Sequence, residues 1–304
     1  MIFSVLQDDE AISARALSKS YGKLMALRGF DLTVRHGEIF GFLGPDGAGK
    51  TTTIRCLLDL VRPSGGTVRI LGVDPQTEHG VIRNHVGYLH SLLDRDEGFT
   101  ARQLFKHFDV LRGGGMDWAF TLMLADRLEL TLDKPINSLT KGNKQKVRLV
   151  HAFMYKPEVL LLDEPTQGLD PRMKEVVLNM VREVKEKNGA VLYASNQARE
   201  IQYIADRVGV LRAGEVMDVV LPNELAEGWY ADVVLWDACD PAKITQIKGV
   251  RLVENEDNKC FRLHIVGELD DLFRVLATCR VQRFETERTA LPGASNKRRS
   301  SCSF

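Results

Sequence analysis

The run Gly44-Pro45-Asp46-Gly47-Ala48-Gly49-Lys50-Thr51-Thr52 follows the apolar stretch IFGFL and precedes the helix-period segment TTTIRCLLDLV. A G-x-x-x-x-G-K-[ST] pattern between a strand and a helix is suited to holding a polyphosphate. The glycines let the backbone turn tightly, so that successive N–H groups face the phosphates, and the following helix N-terminus adds partial positive charge. Lys50 is expected to reach the β- and γ-phosphates of a nucleotide and the Thr51 hydroxyl to ligate Mg²⁺. Asp46 is the odd member, because a carboxylate near phosphates is costly, and its side chain is expected to point away from them. A chance Gly-rich turn ending in Lys-Thr would rarely have both flanks right.

A second candidate lies in VLLLDEP. A buried apolar strand ending in Asp163 puts that carboxylate at the carboxyl edge of a sheet, where the phosphate loop would also lie. Asp163 can hold Mg²⁺ through water, and Glu164 can polarise an attacking water. An Asp-Glu after a strand is, taken alone, more often a solvated strand end. The upstream loop makes the chemical reading the better one.

These residues need a scaffold, and the chain offers one. Its 304 residues suit one large domain and one small one, at roughly 100–200 residues per domain. From residue 11 to about 43 the pattern is that of strands. Residues 100–152 are mostly helical, and after Glu158 strands and helices alternate (VLLLD, a helix from Pro171 to Lys187, AVLYAS, IQYIADR, VGVLR). Apolar strands alternating with helices imply a parallel sheet in an α/β fold. Residues 229–287 read β-α-β-β-α-β, a small ferredoxin-like α+β module. The small, polar and basic end, 288–304, reads as a disordered tail.

Composition removes several functions. Lys+Arg and Asp+Glu are both 41, so no bulk charge attracts nucleic acid or an anionic surface. The five scattered cysteines show neither C-x-x-C nor metal-ligand spacing, which suits a reducing compartment. No segment has the ~18–20 apolar residues of a membrane span, and MIFSVLQDDE is too short for a signal core. A soluble protein is expected.

Many families share the two phosphate motifs. Between them stands Leu139-Thr140-Lys141-Gly142-Asn143-Lys144-Gln145-Lys146, which resembles the LSGGQ signature of ATP-binding-cassette (ABC) ATPases. LSKSYGKLMAL, PTQGLDP and DRVGVLRAGEV resemble further motifs of that family, so the likeness runs from about Ala14 to Leu221. The resemblance implies a P-loop NTPase domain over 11–222 with a helical subdomain at about 94–152, followed by the accessory module. It implies Mg·ATP as ligand, with Tyr21 stacked on adenine. Thr140 and Gly142 would contact the γ-phosphate held by the other subunit of a dimer, and Asp170 would couple the two sites. It also implies a separate transmembrane permease, contacted by helices between Gln103 and Leu132, with Leu104, Phe105 and Phe108 as an apolar docking surface or as the arm's own core. The overall pattern is similar to the ATP-binding subunit of a bacterial drug, polysaccharide or ion exporter, on the inner face of the cell membrane.

Two positions depart from the family. Ser91 stands where a glutamine usually touches Mg²⁺ and the attacking water, and Asn196 stands where a histidine holds the γ-phosphate. Loss of one positioned donor typically costs ~10²–10³ in rate, so slow hydrolysis is expected. Two alternatives remain open. One is a regulatory, nearly inactive ATP-binding subunit of a heterodimer; the other is a soluble ABC ATPase outside transport.

Overall fold

The computed structural model describes residues 9–89, 98–225, 228–266 and 269–289. The chain divides into two compact units between Pro222 and Asn223.

The first unit opens with two long strands, β1 (Glu10–Tyr21) and β2 (Leu24–Arg35), paired antiparallel with several shifts of register. IFGFL follows as β3 (Ile39–Leu43), buried at every position. After the phosphate loop comes α1 (Lys50–Leu57), and β4 (Gly65–Ile70) returns to pair with β1, giving a three-stranded sheet of order β2-β1-β4. Next are α2 (His79–His85) and β5 (Val86–Tyr88). The arm is α3 (Ala101–Arg112) and α4 (Trp118–Arg127). Then follow α5 (Lys141–Phe153), β6 (Val159–Asp163), α6 (Pro171–Glu186), β7 (Ala190–Ser195), α7 (Ala198–Ile204), β8 (Arg207–Arg212) and β9 (Glu215–Val220).

These strands build a six-stranded sheet of order β5-β6-β7-β3-β8-β9, parallel except for the β8–β9 hairpin. Its register positions the chemistry. Leu43 pairs with Ser195 and Asp163 with Ala194, so the carboxyl ends of β3, β6 and β7 finish level. Ligands of open α/β sheets bind at that edge. One core runs beneath it, uniting Phe40, Phe42, Ile54, Leu161 and Leu192 with Ile12, Leu17 and Val34 from the antiparallel sheet.

The local signals explain the helix ends. Thr100 closes a capping box with Gln103 at the start of α3, and Gly113 ends that helix in the left-handed region. Asp117 caps α4, Thr140 caps α5, and Asp170 caps α6 with Pro171 at its first position. α1 is shorter than its apolar period suggests, because the chain turns at Leu58 and Asp59 takes φ 49°.

The second unit contains β10 (Gly228–Leu235), α8 (Pro241–Thr245), β11 (Val250–Glu256), β12 (Cys260–Ile265), α9 (Asp270–Leu276) and β13 (Val281–Thr289). Its four strands are antiparallel in the order β11-β12-β10-β13. Phe261, Leu263 and Ile265 face inward at period two and pack with Val233, with Ile244 of α8 and with Leu272 and Leu276 of α9. From residue 290 the basic tail lies outside the described residues.

Candidate functional site

The loop from Gly44 to Thr52 leaves the carboxyl end of β3 and enters α1 through Gly49, whose φ of 115° only glycine adopts readily. A Cβ there would also stand 2.8 Å from Leu27 Cδ2. No side chain caps α1 and no acidic residue sits in its first turn, so its leading N–H groups stay available to an anion. Lys50 is 6% exposed and folds back over the loop. Its ammonium donates to Gly44 O at 2.7 Å and to Pro45 O at 3.2 Å. The loop lines a cavity of about 780 Å³ that also takes in Tyr21, Met25, Tyr88, Asp163, Glu164 and Gln167.

Both strand-end carboxylates open onto this cavity. The Thr51 hydroxyl donates to Asp163 Oδ2 at 2.5 Å, so two hard oxygens of the kind Mg²⁺ prefers already meet there. No cluster of three or more metal-ligating side chains occurs among the described residues. That is compatible with Mg²⁺, which usually keeps waters and substrate phosphates in its shell. Lys50 Nζ lies 3.3 Å from Glu164 Oε1, at ion-pair distance but outside hydrogen-bond geometry. Burial pushes the Glu164 carboxyl above the ordinary glutamate range, and the Lys50 charge offsets part of that rise. Glu164 itself has φ 48°, a conformation a non-glycine residue adopts only when its surroundings impose it.

Asp46 belongs to the loop that lines the cavity, and Oδ1 of its exposed side chain accepts at 3.3 Å from Nδ2 of Asn196, a residue outside the cavity wall. The amide of Asn196 gives that carboxylate a donor. The backbone N–H of Asn196 also offsets a small part of the rise at Glu164. Ser91 lies outside the described residues.

The remaining expected residues divide between this cavity and the outside. Tyr21 is 44% exposed on the cavity wall, with the Lys19 ammonium 5.1 Å from its ring centre. Thr140, Gly142 and Asp170 are not part of the wall. The Thr140 oxygen accepts from Asn143 N at 3.3 Å, which leaves its O–H free to donate elsewhere. Gly142 approaches the loop after β6 so closely that a Cβ would stand 2.8 Å from Gly168 O. Asp170 caps α6 through Met173 N, and these backbone bonds hold its carboxyl below the ordinary range.

Gln145 was not singled out from the sequence. It is buried on α5, and its amide donates to Glu164 O at 3.2 Å and Pro165 O at 2.9 Å. The helix that starts at Thr140 is thereby tied to the segment carrying Glu164. The available signal was a polar residue beside the apolar face formed by Val147, Leu149 and Val150.

A glycine-rich loop that enters a helix N-terminus with a lysine and a threonine beside two strand-end carboxylates is the working part of a P-loop nucleoside triphosphatase, and fold and site together assign the molecule to that class. Residues 27–167 match the ABC transporter family profile. The chain is 33% identical to the daunorubicin resistance ATP-binding protein DrrA3 of Streptomyces coeruleorubidus, over 93% of this chain and 92% of that one. It is 30% identical to the Nod factor export ATP-binding protein I of Burkholderia orbicola, over 77% and 78%. Among solved structures, the ATP-binding subunit of an ABC transporter superposes with a TM-score of 0.66 at 25% identity, covering 71% of this chain and 91% of the other. A dimeric ATP-binding cassette in a post-hydrolysis state, bound to ADP and Pi, gives 0.64 at 23%, covering 69% and 98%. The chain belongs to the ABC transporter family: it is an ATP-binding subunit with ATPase activity.

Proposed function

We propose that this subunit drives an exporter whose membrane-spanning permease is a separate polypeptide. The observation that carries the proposal is the likeness to a drug-resistance ATP-binding protein across more than nine-tenths of both chains, second unit included. No helix among the described residues is long and apolar enough to cross a membrane. In this reading Thr51 and Asp163 hold Mg²⁺ with ATP, Tyr21 stacks on the base, and Glu164 polarises the attacking water. Thr140, Gly142 and Asp170, outside this chain's own cavity, complete the site of a second subunit. The pair sits on the inner face of the cell membrane, the unit from Asn223 onward acts as an accessory module, and the permease selects the cargo.

The permease is proposed to dock against α3. Leu104 and Phe105 are buried, so they offer a partner little surface. Val110 and Leu111, at 76% and 68% exposed, are the apolar groups that α3 offers. Leu111 and Phe108 line a groove of about 660 Å³ with Leu58, Leu60 and Ile82. Exposed apolar patches of this kind mark interaction sites. Val110→Glu with Leu111→Glu is expected to release a co-expressed permease, normally a multi-span protein encoded beside this chain, while Mg·ATP affinity stays within about twofold, since neither side chain lines the nucleotide cavity. Co-purification that survives both substitutions rules out this face.

A second reading, a regulatory subunit that holds ATP with little turnover, is favoured by the contact between Asn196 and Asp46. The amide that could serve a terminal phosphate is spent on a carboxylate. Asn196→His, alone or with Ser91→Gln, is expected to raise kcat, by up to ~10²–10³ if one positioned donor is restored. A steady-state rate already in the ordinary range of ~1–10 s⁻¹, unchanged by Asn196→His, would leave a plain transport ATPase.

A further inference from the structure

Behind the cavity a carboxylate is buried that none of the phosphate-site roles uses. Glu200, in the first turn of α7, is 8% exposed. Its Oε1 accepts from the Thr166 hydroxyl at 2.5 Å, and its Oε2 accepts from the Ser195 hydroxyl at 3.2 Å. Ser195 Oγ in turn accepts from the Gln197 backbone N–H at 3.1 Å. The Lys174 ammonium stays 3.9 Å from Oε1, beyond hydrogen-bond reach. Burying a carboxylate is costly, and here it satisfies the fully buried Thr166 and Ser195 hydroxyls.

Thr166 lies two residues after Glu164 and four before Asp170, in a turn closed by Gln167 N to Glu164 O and Leu169 N to Thr166 O. Ser195 is the last residue of β7, immediately before Asn196. Glu200 therefore joins the loop that follows β6 to the strand end that presents Asn196. A second stitch runs alongside it. The Glu164 N–H donates to the carbonyl oxygen of Ala194, the residue before Ser195, at 2.9 Å. Between the two stitches Glu164 is held at its positive φ.

We infer that Glu200 is a positioning residue for ATP hydrolysis: it locks the loop of Glu164 to the segment of Asn196, so that displacement of either is transmitted to the other. The inference rests on the reading of Glu164 as the group that polarises water. Without the lock, Glu164 relaxes from its strained backbone conformation, and a misplacement of about 1 Å is enough to cost ~10²-fold in rate. Nucleotide binding is carried by Lys50 and the loop amides and stays intact.

The full chain, its Thr166→Val, Thr166→Ser and Glu200→Ala variants, and the Thr166→Val/Glu200→Ala double variant are compared by single-turnover ATP hydrolysis and by calorimetric titration with Mg·ATP. Thr166→Val removes one buried hydrogen bond to a charged group and is expected to slow hydrolysis about tenfold, with Kd within about twofold. Thr166→Ser, which keeps the hydroxyl, is expected to match wild type. Glu200→Ala is expected to lose about 10²-fold, and the double variant no more than that, because both act through one contact. Equal rates for Thr166→Val and Thr166→Ser, or rate losses that track losses of affinity, overturn the inference. If Glu200→Ala does not fold, the Thr166 pair decides alone. Glu164→Gln is measured in parallel. A fully active Glu164→Gln refutes the role of Glu164 itself, whereas an inactive Glu164→Gln beside a fully active Thr166→Val refutes only the positioning role.

Discussion

Lys50→Ala is expected to abolish binding of Mg·ATP at concentrations that saturate the wild type. In the free protein the ammonium already sits at the loop, held by two backbone carbonyls and 3.3 Å from Glu164. A polyphosphate entering the cavity meets a fixed charge that has lost little side-chain freedom in waiting. Each hydrogen bond between a charged donor and a phosphate oxygen contributes about 1.5–3 kcal/mol. Loss of two such bonds weakens affinity by roughly 10²–10⁴. The substitution also leaves the Glu164 carboxylate beside the phosphates without its compensating charge, which adds repulsion in the same direction. Isothermal titration of both proteins with Mg·ATP checks this. Equal affinity would remove the site from the loop altogether.

Much of this site can be read from the chain because its parts are local. The loop is one contiguous pattern, and IFGFL and VLLLD announce themselves as strands buried on both faces. Once a parallel sheet is inferred, the carboxyl-edge rule brings Lys50, Thr51, Asp163 and Glu164 together without coordinates. What could not be read depends on pairs distant in sequence. Asp46 and Asn196 are 150 positions apart, and nothing in either segment says that an amide will meet the carboxylate. Thr166 and Glu200 are 34 apart, and Gln145 reaches carbonyls 19 and 20 positions on. Such polar contacts carry no periodicity, so pattern reading treats each residue as a surface position. Leu104 and Phe105 show the opposite difficulty. An amphipathic stripe reports that a face is covered, not whether the arm or a partner covers it. Exposure at Val110 and Leu111 shifts the candidate docking face along the same helix.

Glu164→Gln is expected to bind Mg·ATP at least as tightly as wild type and to hydrolyse it about 10²–10⁴ times more slowly, the range spanned by loss of a positioned general base. The separation of the two effects follows from geometry. The phosphate loop and Lys50 are untouched, and the neutral amide removes a negative charge from the neighbourhood of the phosphates. The pH dependence supplies an independent check. Burial raises the Glu164 carboxyl above its ordinary range while Lys50 lowers it in part, and the base acts only when deprotonated. The wild-type rate therefore rises with pH on a limb displaced upward from that of a solvated glutamate, and whatever draws the ammonium from Glu164 toward phosphate displaces it further. The stability linkage has the opposite sense. A folded pKa above the unfolded value means that the native state keeps its proton longer, so the contribution of Glu164 to stability falls as pH rises between the two values. In Glu164→Gln both dependences should vanish together: the limb disappears from the residual rate, and the fall in thermal midpoint across that window disappears from the melting curves. A variant that hydrolyses ATP at the wild-type rate, or that keeps the same acidic limb, would move the general base to another residue. Asp163 is the other strand-end carboxylate on the cavity wall, and the Thr51 hydroxyl already engages it.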